Sequence, residues 1–455
     1  MLWPVNSDIM SDSRRDFLKK AVAGTMGLTI GGKILASTAR SYRSISGANE
    51  VIRVAIIGCN SRGASMAGTF ARQPNTEIIY ICDVDDVAMQ KGIKSVEEVT
   101  GKEPESVRDF RKILKDKDLD AVYIATPDHW HAPASILSLK AGKHVYVEKP
   151  LSHNPYEGEM LVLAAEKYKR IVQIGTQRRS WPTLTRGIAE LKNGVIGKVY
   201  MAKTWYANTR GPIGIGKVIP VPSNLDYDLW QGPAPRRPYK DNLIHYNWHW
   251  FWNWGTGEAL NNGTHEIDVA RWGLGLDYPL KVNSVGGRYQ FKDDWETPDT
   301  QVITFEAPGA VIVWEGRSCN GSYDDNRSRG VIFHGENGSL HTGDNSYMIY
   351  DNKNKLVKEV KSDIVISEGL NTTSPGEELD AVHVLNFLEN IRNNRKPFAD
   401  ALNGHKSTLW MQLGNISQRV GHTLNIDPSN GHIIGDNEAM KLWSREYENG
   451  WEPTV

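Results

Sequence analysis

The sequence predicts an α/β protein, with a doubly wound parallel sheet first and then an α+β domain carrying a large, mostly antiparallel open sheet. Three observations predict it. Between residues 51 and 175, short runs rich in valine and isoleucine alternate with stretches of helical periodicity, as strands buried on both faces do. The first run ends in a glycine-bearing turn that opens a helix. Beyond residue 176 the apolar runs give way to strict alternation, the pattern of strands with one covered face.

In chain order, VIRVAIIG (51–58) reads as a buried strand, with a helix starting near Gly63. TEIIYICD (76–83), DAVYIAT (120–126), KHVYVEK (143–149) and RIVQIGT (170–176) read as further strands, with helices around 131–141 and 155–168 between them. A helix over 183–193 leads to strand-like GKVYMAKTWYA (197–207) and then a Gly/Pro-rich passage (211–238). VNSVGGRYQF (282–291), DTQVITFEA (299–307) and AVIVWEG (310–316) alternate as half-buried strands, and amphipathic helices are expected over 377–395 and 406–420. The divisions expected are 1–48 as a leader and linker, 49–176 as the first domain and 177–455 as the second.

A chain of 455 residues exceeds one ordinary core, in keeping with two domains. Its 53 basic and 54 acidic side chains nearly cancel, so nothing in the charge favours nucleic acid or an anionic membrane as partner. Cys59, Cys82 and Cys319 are odd in number and lack metal-ligand spacing, and His129, His131 and His249 repeat no ligand pattern, so no metal is expected. At the N-terminus, SDSRRDFLKK precedes a weakly apolar stretch from Ala21 to Leu35 and the small residues Ser37, Thr38 and Ala39. That order resembles a twin-arginine export signal, with Met10 as an alternative start, and implies a periplasmic or otherwise exported protein. A basic amphipathic helix is the other reading. The apolar stretch is too short and glycine-rich to span a bilayer, and no cysteine follows it, so no membrane anchor is expected.

The turn after the first strand reads Gly58-Cys59-Asn60-Ser61-Arg62-Gly63. In a dinucleotide fingerprint the first glycine allows the tight turn, the second lets backbone approach the pyrophosphate, and the third permits close strand–helix packing. Asn60 stands at the second position, which weakens the motif. Asp83 restores it, twenty residues beyond Gly63 at the end of the second strand, where an acid accepts hydrogen bonds from the ribose hydroxyls. The constellation points to a Rossmann domain that binds NAD. Arg62 keeps NADP open, since a guanidinium there is able to contact a 2′-phosphate.

Two later segments carry a family resemblance. ATPDHWHAP (125–133) and GKHVYVEKPL (142–151), together with NNGTHEIDVARW (261–272), resemble the glucose–fructose oxidoreductase, inositol dehydrogenase and rhizopine-catabolism family (Gfo/Idh/MocA) over nearly the whole chain after the leader. The resemblance implies a sugar or sugar derivative as substrate and a homodimer or homotetramer built through the large sheet. It places Thr126, Pro127, His129, His131, Glu148 and Gln177 at the cofactor, and Lys149 at the junction of cofactor and substrate. The family's second catalytic element, D-x-G-x-H, stands here as Asn261-Asn262-Gly263-Thr264-His265. His265 then serves as general acid or base, while Asn261 replaces an aspartate and cannot transfer a proton.

Glu258 adds a carboxylate where the family carries glycine, and Arg178 follows the last Rossmann strand toward the substrate, surface pairing being its other reading. The run HYNWHWFWNWG (245–255), read as a strand, puts Trp248, Trp250, Trp252 and Trp254 on one face and His249 on the other. A sugar platform and a buried aromatic layer both fit that run. Three functions stay open: an oxidoreductase with a retained NAD, an NAD-dependent glycosidase that oxidises, eliminates, hydrates and re-reduces, and an inactive nucleotide-binding module.

Overall fold

Strand β1 (Ile52–Ile57) lies at the centre of the first sheet because nearly every side chain in it is apolar and five of six are buried. The structure, a computed structural model, describes residues 51–455 apart from 344, 363 and 365–375; the expected leader lies outside the described residues. Strands β2 (Thr76–Cys82), β3 (Glu105–Val107), β4 (Ala121–Ile124), β5 (His144–Val147) and β6 (Val172–Ile174) complete a six-stranded parallel sheet in the order β3-β2-β1-β4-β5-β6. That order reverses between β1 and β4, so a crevice opens at their carboxyl ends.

Helices α1 (Arg62–Ala71), α2 (Asp86–Thr100), α3 (Phe110–Ile113), α4 (Asp128–Lys140) and α5 (Pro155–Tyr168) link these strands. Helix α2 has no counterpart among the expected elements, although its ends are marked. The Asp85 side chain accepts a hydrogen bond from Val87 N–H, and Gly101 closes the helix in the left-handed conformation at φ 69°. Helix α5 begins as expected, with Asn154 capping and Pro155 in the first turn, where a missing N–H costs nothing.

The second half supplies α6 (Pro182–Lys192), β7 (Val199–Ala207), α7 (Tyr227–Gln231), α8 (Gly257–Asn261) and α9 (Gly263–Leu274). Strands β8 (Lys281–Gly287), β9 (Thr300–Ala307), β10 (Ala310–Arg317), β11 (Arg329–Gly335), β12 (Gly338–Thr342), β13 (Ser346–Tyr350) and β14 (Leu356–Lys361) follow. Then come α10 (Glu377–Asn393), α11 (Ala401–Val420) and the short β15 (Leu424–Asn425). The nine-stranded sheet runs β14-β13-β12-β11-β7-β10-β9-β8-β15 and is antiparallel except where β7 meets β10. One face packs on helices through Phe305, Trp314, Phe333, Trp410 and Met411, all fully buried.

Helix α10 crosses back to the first sheet, where Val384, Phe387 and Leu388 share a core with Phe70, Tyr123 and Tyr146. Among the described residues, no helix is long and apolar enough to cross a membrane.

The tryptophan run departs from the expected strand. Residues 247–250 form a single 3-10 turn, so the rings diverge instead of sharing a face. Trp248 stacks on His249 at 3.6 Å, Trp250 stacks on Trp295 at 4.0 Å, and Trp254 joins a cluster with Leu225 and Phe251 against which Trp248 also packs.

Candidate active site

The crevice begins at the turn after β1. Gly58 sits at φ 84° and donates its N–H to Cys82 O at 2.8 Å; a Cβ there would meet Ala125 O at 2.7 Å. A Cβ on Gly63 would lie 1.7 Å from Gly58 O, so both outer glycines are required by contact. Asn60 keeps a negative φ, so the backbone here does not itself demand glycine; its Oδ1 accepts from Lys91 Nζ at 2.7 Å. Ser61 caps α1 without a side-chain bond, leaving first-turn N–H groups to face an anion. Asp83 Oδ2 accepts from Cys59 N–H at 2.6 Å and Oδ1 from Asp85 N–H at 3.0 Å; burial pushes its carboxyl up against those two donors.

From this loop a cavity of about 420 Å³ runs past Thr126, Pro127 and His131 to Lys149, Gln177, Asn261 and His265. Among the described residues, the buried Thr126 Oγ1 and His265 Nδ1 have no hydrogen-bond partner. Glycines that a Cβ would crowd, free N–H groups at a helix start, a strand-end carboxylate and two orphaned polar atoms together fit a dinucleotide. Among the described residues no cluster of His, Cys, Asp or Glu is placed to hold a metal.

At the far end, Lys149 Nζ donates to Asn261 O at 2.6 Å and Asn261 Oδ1 at 3.1 Å. Burial pulls the Lys149 ammonium down from its ordinary range, only partly offset by Glu148 and Asp128. Glu148 stays ionised: burial opposes this, but Arg62 and Lys149 outweigh it, and its Oε1 accepts from Arg62 Nε and Tyr123 Oη, each at 2.9 Å. His131 ties the lysine turn to the β4 loop, with Nδ1 2.6 Å from Pro150 O and Nε2 2.8 Å from Thr126 O. Thr256, just ahead of α8, donates to Asp128 Oδ2 at 2.5 Å and fixes that helix against α4. His265 is 3% exposed, and burial, then Arg329 and Lys149, drive its pKa well below the usual value. The imidazole is therefore neutral, and burial with the nearby cations opposes its protonation.

Other expected residues stand elsewhere. His129 does not line the cavity: it is fully buried, its Nε2 3.0 Å from Trp230 O, and burial pulls it down to about 3. Arg62 lines the cavity but forks onto Asp380 at 2.6 and 2.7 Å, so it holds α10 to the nucleotide loop where a phosphate contact was expected. Arg178 faces the buried Glu266 at 3.6 Å, not the cavity. Glu258 lies behind the wall, paired with Arg210 at 2.7 Å, and accepts from Asn262 Nδ2 at 2.5 Å and Ser318 Oγ at 3.2 Å. Replacing Glu258 with alanine is expected to lower folding stability by about 2 kcal/mol, because Asn262 and Ser318 lose a buried acceptor and half-buried Arg210 loses its counterion. Chemical denaturation of the two proteins checks this; equal midpoints would refute the pairing.

Trp248 and His249 do line the cavity. His249 Nδ1 lies 2.6 Å from Tyr246 O, so Nδ1 carries the hydrogen and Nε2 keeps a lone pair; burial holds the ring well below its usual pKa. Tyr206, Asn208, Arg210, His245 and Tyr246 also line it and were missed. Arg210 lies over the rings of Tyr246 at 5.3 Å and Trp250 at 5.0 Å, and Asn208 Nδ2 donates to Tyr206 Oη at 2.7 Å.

Residues 52–176 match the family domain described as oxidoreductase family, NAD-binding Rossmann fold, and residues 198–453 match the oxidoreductase family C-terminal alpha/beta domain of the same family. The chain belongs to the Gfo/Idh/MocA oxidoreductase family. Its Rossmann domain is accordingly NAD-binding. Curated relatives include a glycosyl hydrolase family 109 protein of Saccharopolyspora erythraea, 34% identical over 35% of this chain. An alpha-N-acetylgalactosaminidase of Shewanella oneidensis is 32% identical over 34% of this chain. The match spans only 38% of the length of either relative.

Among solved structures, levoglucosan dehydrogenase in complex with NADH and levoglucosan superposes with a TM-score of 0.63 at 18% identity, over 82% of this chain and 99% of that one. Aldose-aldose oxidoreductase from Caulobacter crescentus gives 0.62 at 17%, over 83% of this chain and 100% of that one. These likenesses show the shared fold. Asn261 stands where the resemblance implies an aspartate, and its two oxygens accept from Lys149 Nζ.

Proposed function

We propose that this protein is an NAD-dependent enzyme that oxidises a hydroxyl of a sugar or sugar derivative and keeps its cofactor through the cycle. The observation that carries the reading is the desolvated Lys149 amine fixed on Asn261, beside neutral His265, in the cavity that starts at the nucleotide loop. NAD, when bound, supplies the hydride acceptor. The residues here manage the hydroxyl proton. Asn261 orients Lys149 through two oxygens, and Lys149 with His265 holds or returns the proton. Export rests on the Ser-Arg-Arg-Asp-Phe-Leu-Lys order at 13–19. Retention follows from it, because an exported enzyme lacks the cytoplasmic pool that recycles free NADH. Assembly as a dimer or tetramer through the nine-stranded sheet is part of the same proposal.

A second reading is favoured by His249. Its fixed tautomer offers Nε2 as a base in the cavity, beyond the two groups that a simple oxidation needs. After oxidation beside it, a sugar C–H is acidified, and its proton is assigned to His249 Nε2; burial lowers the basicity of that nitrogen, and the ketone's acidifying effect must offset this. The glycosidic C–O bond then breaks, the departing oxygen gains a proton, water adds, and re-reduction leaves net hydrolysis with NAD unchanged. The curated relatives bear glycosidase names, which supports this over the matched segment.

One experiment separates the readings: the purified protein with free sugars and nitrophenyl glycosides, followed for NADH and for nitrophenol. Stoichiometric NADH supports the dehydrogenase; nitrophenol without net NADH supports the glycosidase. Neither signal, with NAD bound by native mass spectrometry, would sink both and leave a binding module.

A further inference from the structure

A second cavity of about 410 Å³ lies on the other side of α8 and shares no lining residue with the NAD cavity. Thr256 and Leu260 face it, while Asn261 at the end of the same helix holds Lys149. Four arginines line it. Arg236 pairs with Asp228 at 2.7 Å, Arg237 with Glu296 at 3.3 Å and Arg445 with Glu157 at 2.8 Å, while Arg419 stands without an ion pair among the described residues.

Two of these arginines are incompletely used. Arg419, in the last turn of α11, has no ion pair or hydrogen bond among the described residues and lies 4.9 Å over the Trp252 ring. Arg445 lies 2.8 Å from His129 O and 2.8 Å from Glu157 Oε1, both through Nη2, which leaves Nε and Nη1 buried and unpartnered. A guanidinium edge with free donors fits a carboxylate or sulfate group better than any neutral partner.

The same cavity holds unused acceptors. Gln412 is 4% exposed and donates Nε2 to Ser152 O at 3.1 Å, but its Oε1 has no partner. His153 Nε2 lies 3.1 Å from Trp252 O, so it carries the hydrogen, and the buried Nδ1 is an orphaned acceptor. A bare oxyanion satisfies the arginines and leaves both acceptors empty. A ligand that carries hydroxyls beside its anionic group satisfies all four.

We infer that this cavity is a second binding site, for an acidic sugar bearing a carboxylate or sulfate group. Its occupant touches the segment 252–260 that forms the wall behind the catalytic end, so the site stands apart from the reaction yet against it.

Calorimetric titration of the intact protein with glucuronate, glucose 6-sulfate, inorganic sulfate and glucose tests this. Expected is saturable binding of at least one acidic sugar, no binding of glucose, and a loss of about tenfold in affinity in Arg419→Gln. Arg419 is exposed, so that variant keeps the fold even where Arg445→Gln does not. Lys149→Ala is expected to bind the acidic sugar unchanged. The inference is overturned if neither acidic sugar binds, if inorganic sulfate binds as tightly, or if Arg419→Gln has no effect. Loss of binding in Lys149→Ala overturns it too, because the ligand then sits in the first cavity.

Discussion

Replacing Lys149 with alanine is expected to lower kcat by about a thousandfold while NAD affinity stays within a few-fold, since a positioned acid–base group contributes about 10²–10⁴. The two effects separate because the amine's hydrogen bonds go to Asn261 and not to the nucleotide loop. Burial already draws its ammonium toward the neutral form, so the side chain is prepared to exchange a proton. Asn261 offers no substitute: its two oxygens hold the amine at 2.6 and 3.1 Å and an amide does not titrate. Arginine at 149 is not expected to rescue, because a guanidinium keeps its proton at any working pH. Steady-state turnover with a competent sugar, beside an equilibrium NAD titration, reads both numbers. A Lys149→Ala protein with ordinary kcat would remove the proposed proton path.

The first sheet was legible in its inner strands, which are buried and read as continuous apolar runs, as Val54 to Ile57 and Ala121 to Ile124 do. Its three-residue edge strand β3, with no buried side chain, was unread. Helix α2 escaped for a related reason. Most of its side chains are polar or charged, and only five of fifteen are buried, so its apolar stripe is thin. Strands β11 to β14 were also unread: each is five to seven residues long, and β14 has no buried side chain at all. The tryptophan run misled through spacing. Alternation at 248, 250, 252 and 254 imitates a strand, but the 3-10 turn over 247–250 sends Trp248 to His249 and Trp250 to Trp295.

In the site, motif-borne residues were within reach: Gly58, Asp83, Lys149, Asn261 and His265 all line one cavity. Arg210 and Tyr206 carry no motif; they arrive because β7 lies beside β10 and ends near the mouth. Likewise, nothing near Arg62 in sequence hints that its partner is Asp380, 318 residues away. Glu258 was noticed as an unusual carboxylate, but only packing shows that Arg210 claims it.

Replacing Gly63 with alanine is expected to weaken NAD binding by about a hundredfold or more. The added Cβ would stand 1.7 Å from Gly58 O, roughly half an ordinary contact distance, and the atom it meets is backbone. Relief requires the turn to open. Gly58 cannot retreat freely, because its own Cα face lies against Ala125 O, where a Cβ would be at 2.7 Å, and its φ of 84° is tied by the hydrogen bond to Cys82 O. The strain therefore moves the start of α1, which presents the N–H groups to the pyrophosphate. Losing alignment of two charge-assisted hydrogen bonds, at roughly 1.5 kcal/mol each, corresponds to that hundredfold. Gly211→Ala is the matched control: nothing lies within 4 Å of its Cβ position and its φ is not positive, so NAD affinity should be unchanged. Titration of NAD against both variants, with far-ultraviolet circular dichroism to confirm folding, decides the matter. A folded Gly63→Ala protein that binds NAD like the parent would show that the cofactor's pyrophosphate does not rest on this turn.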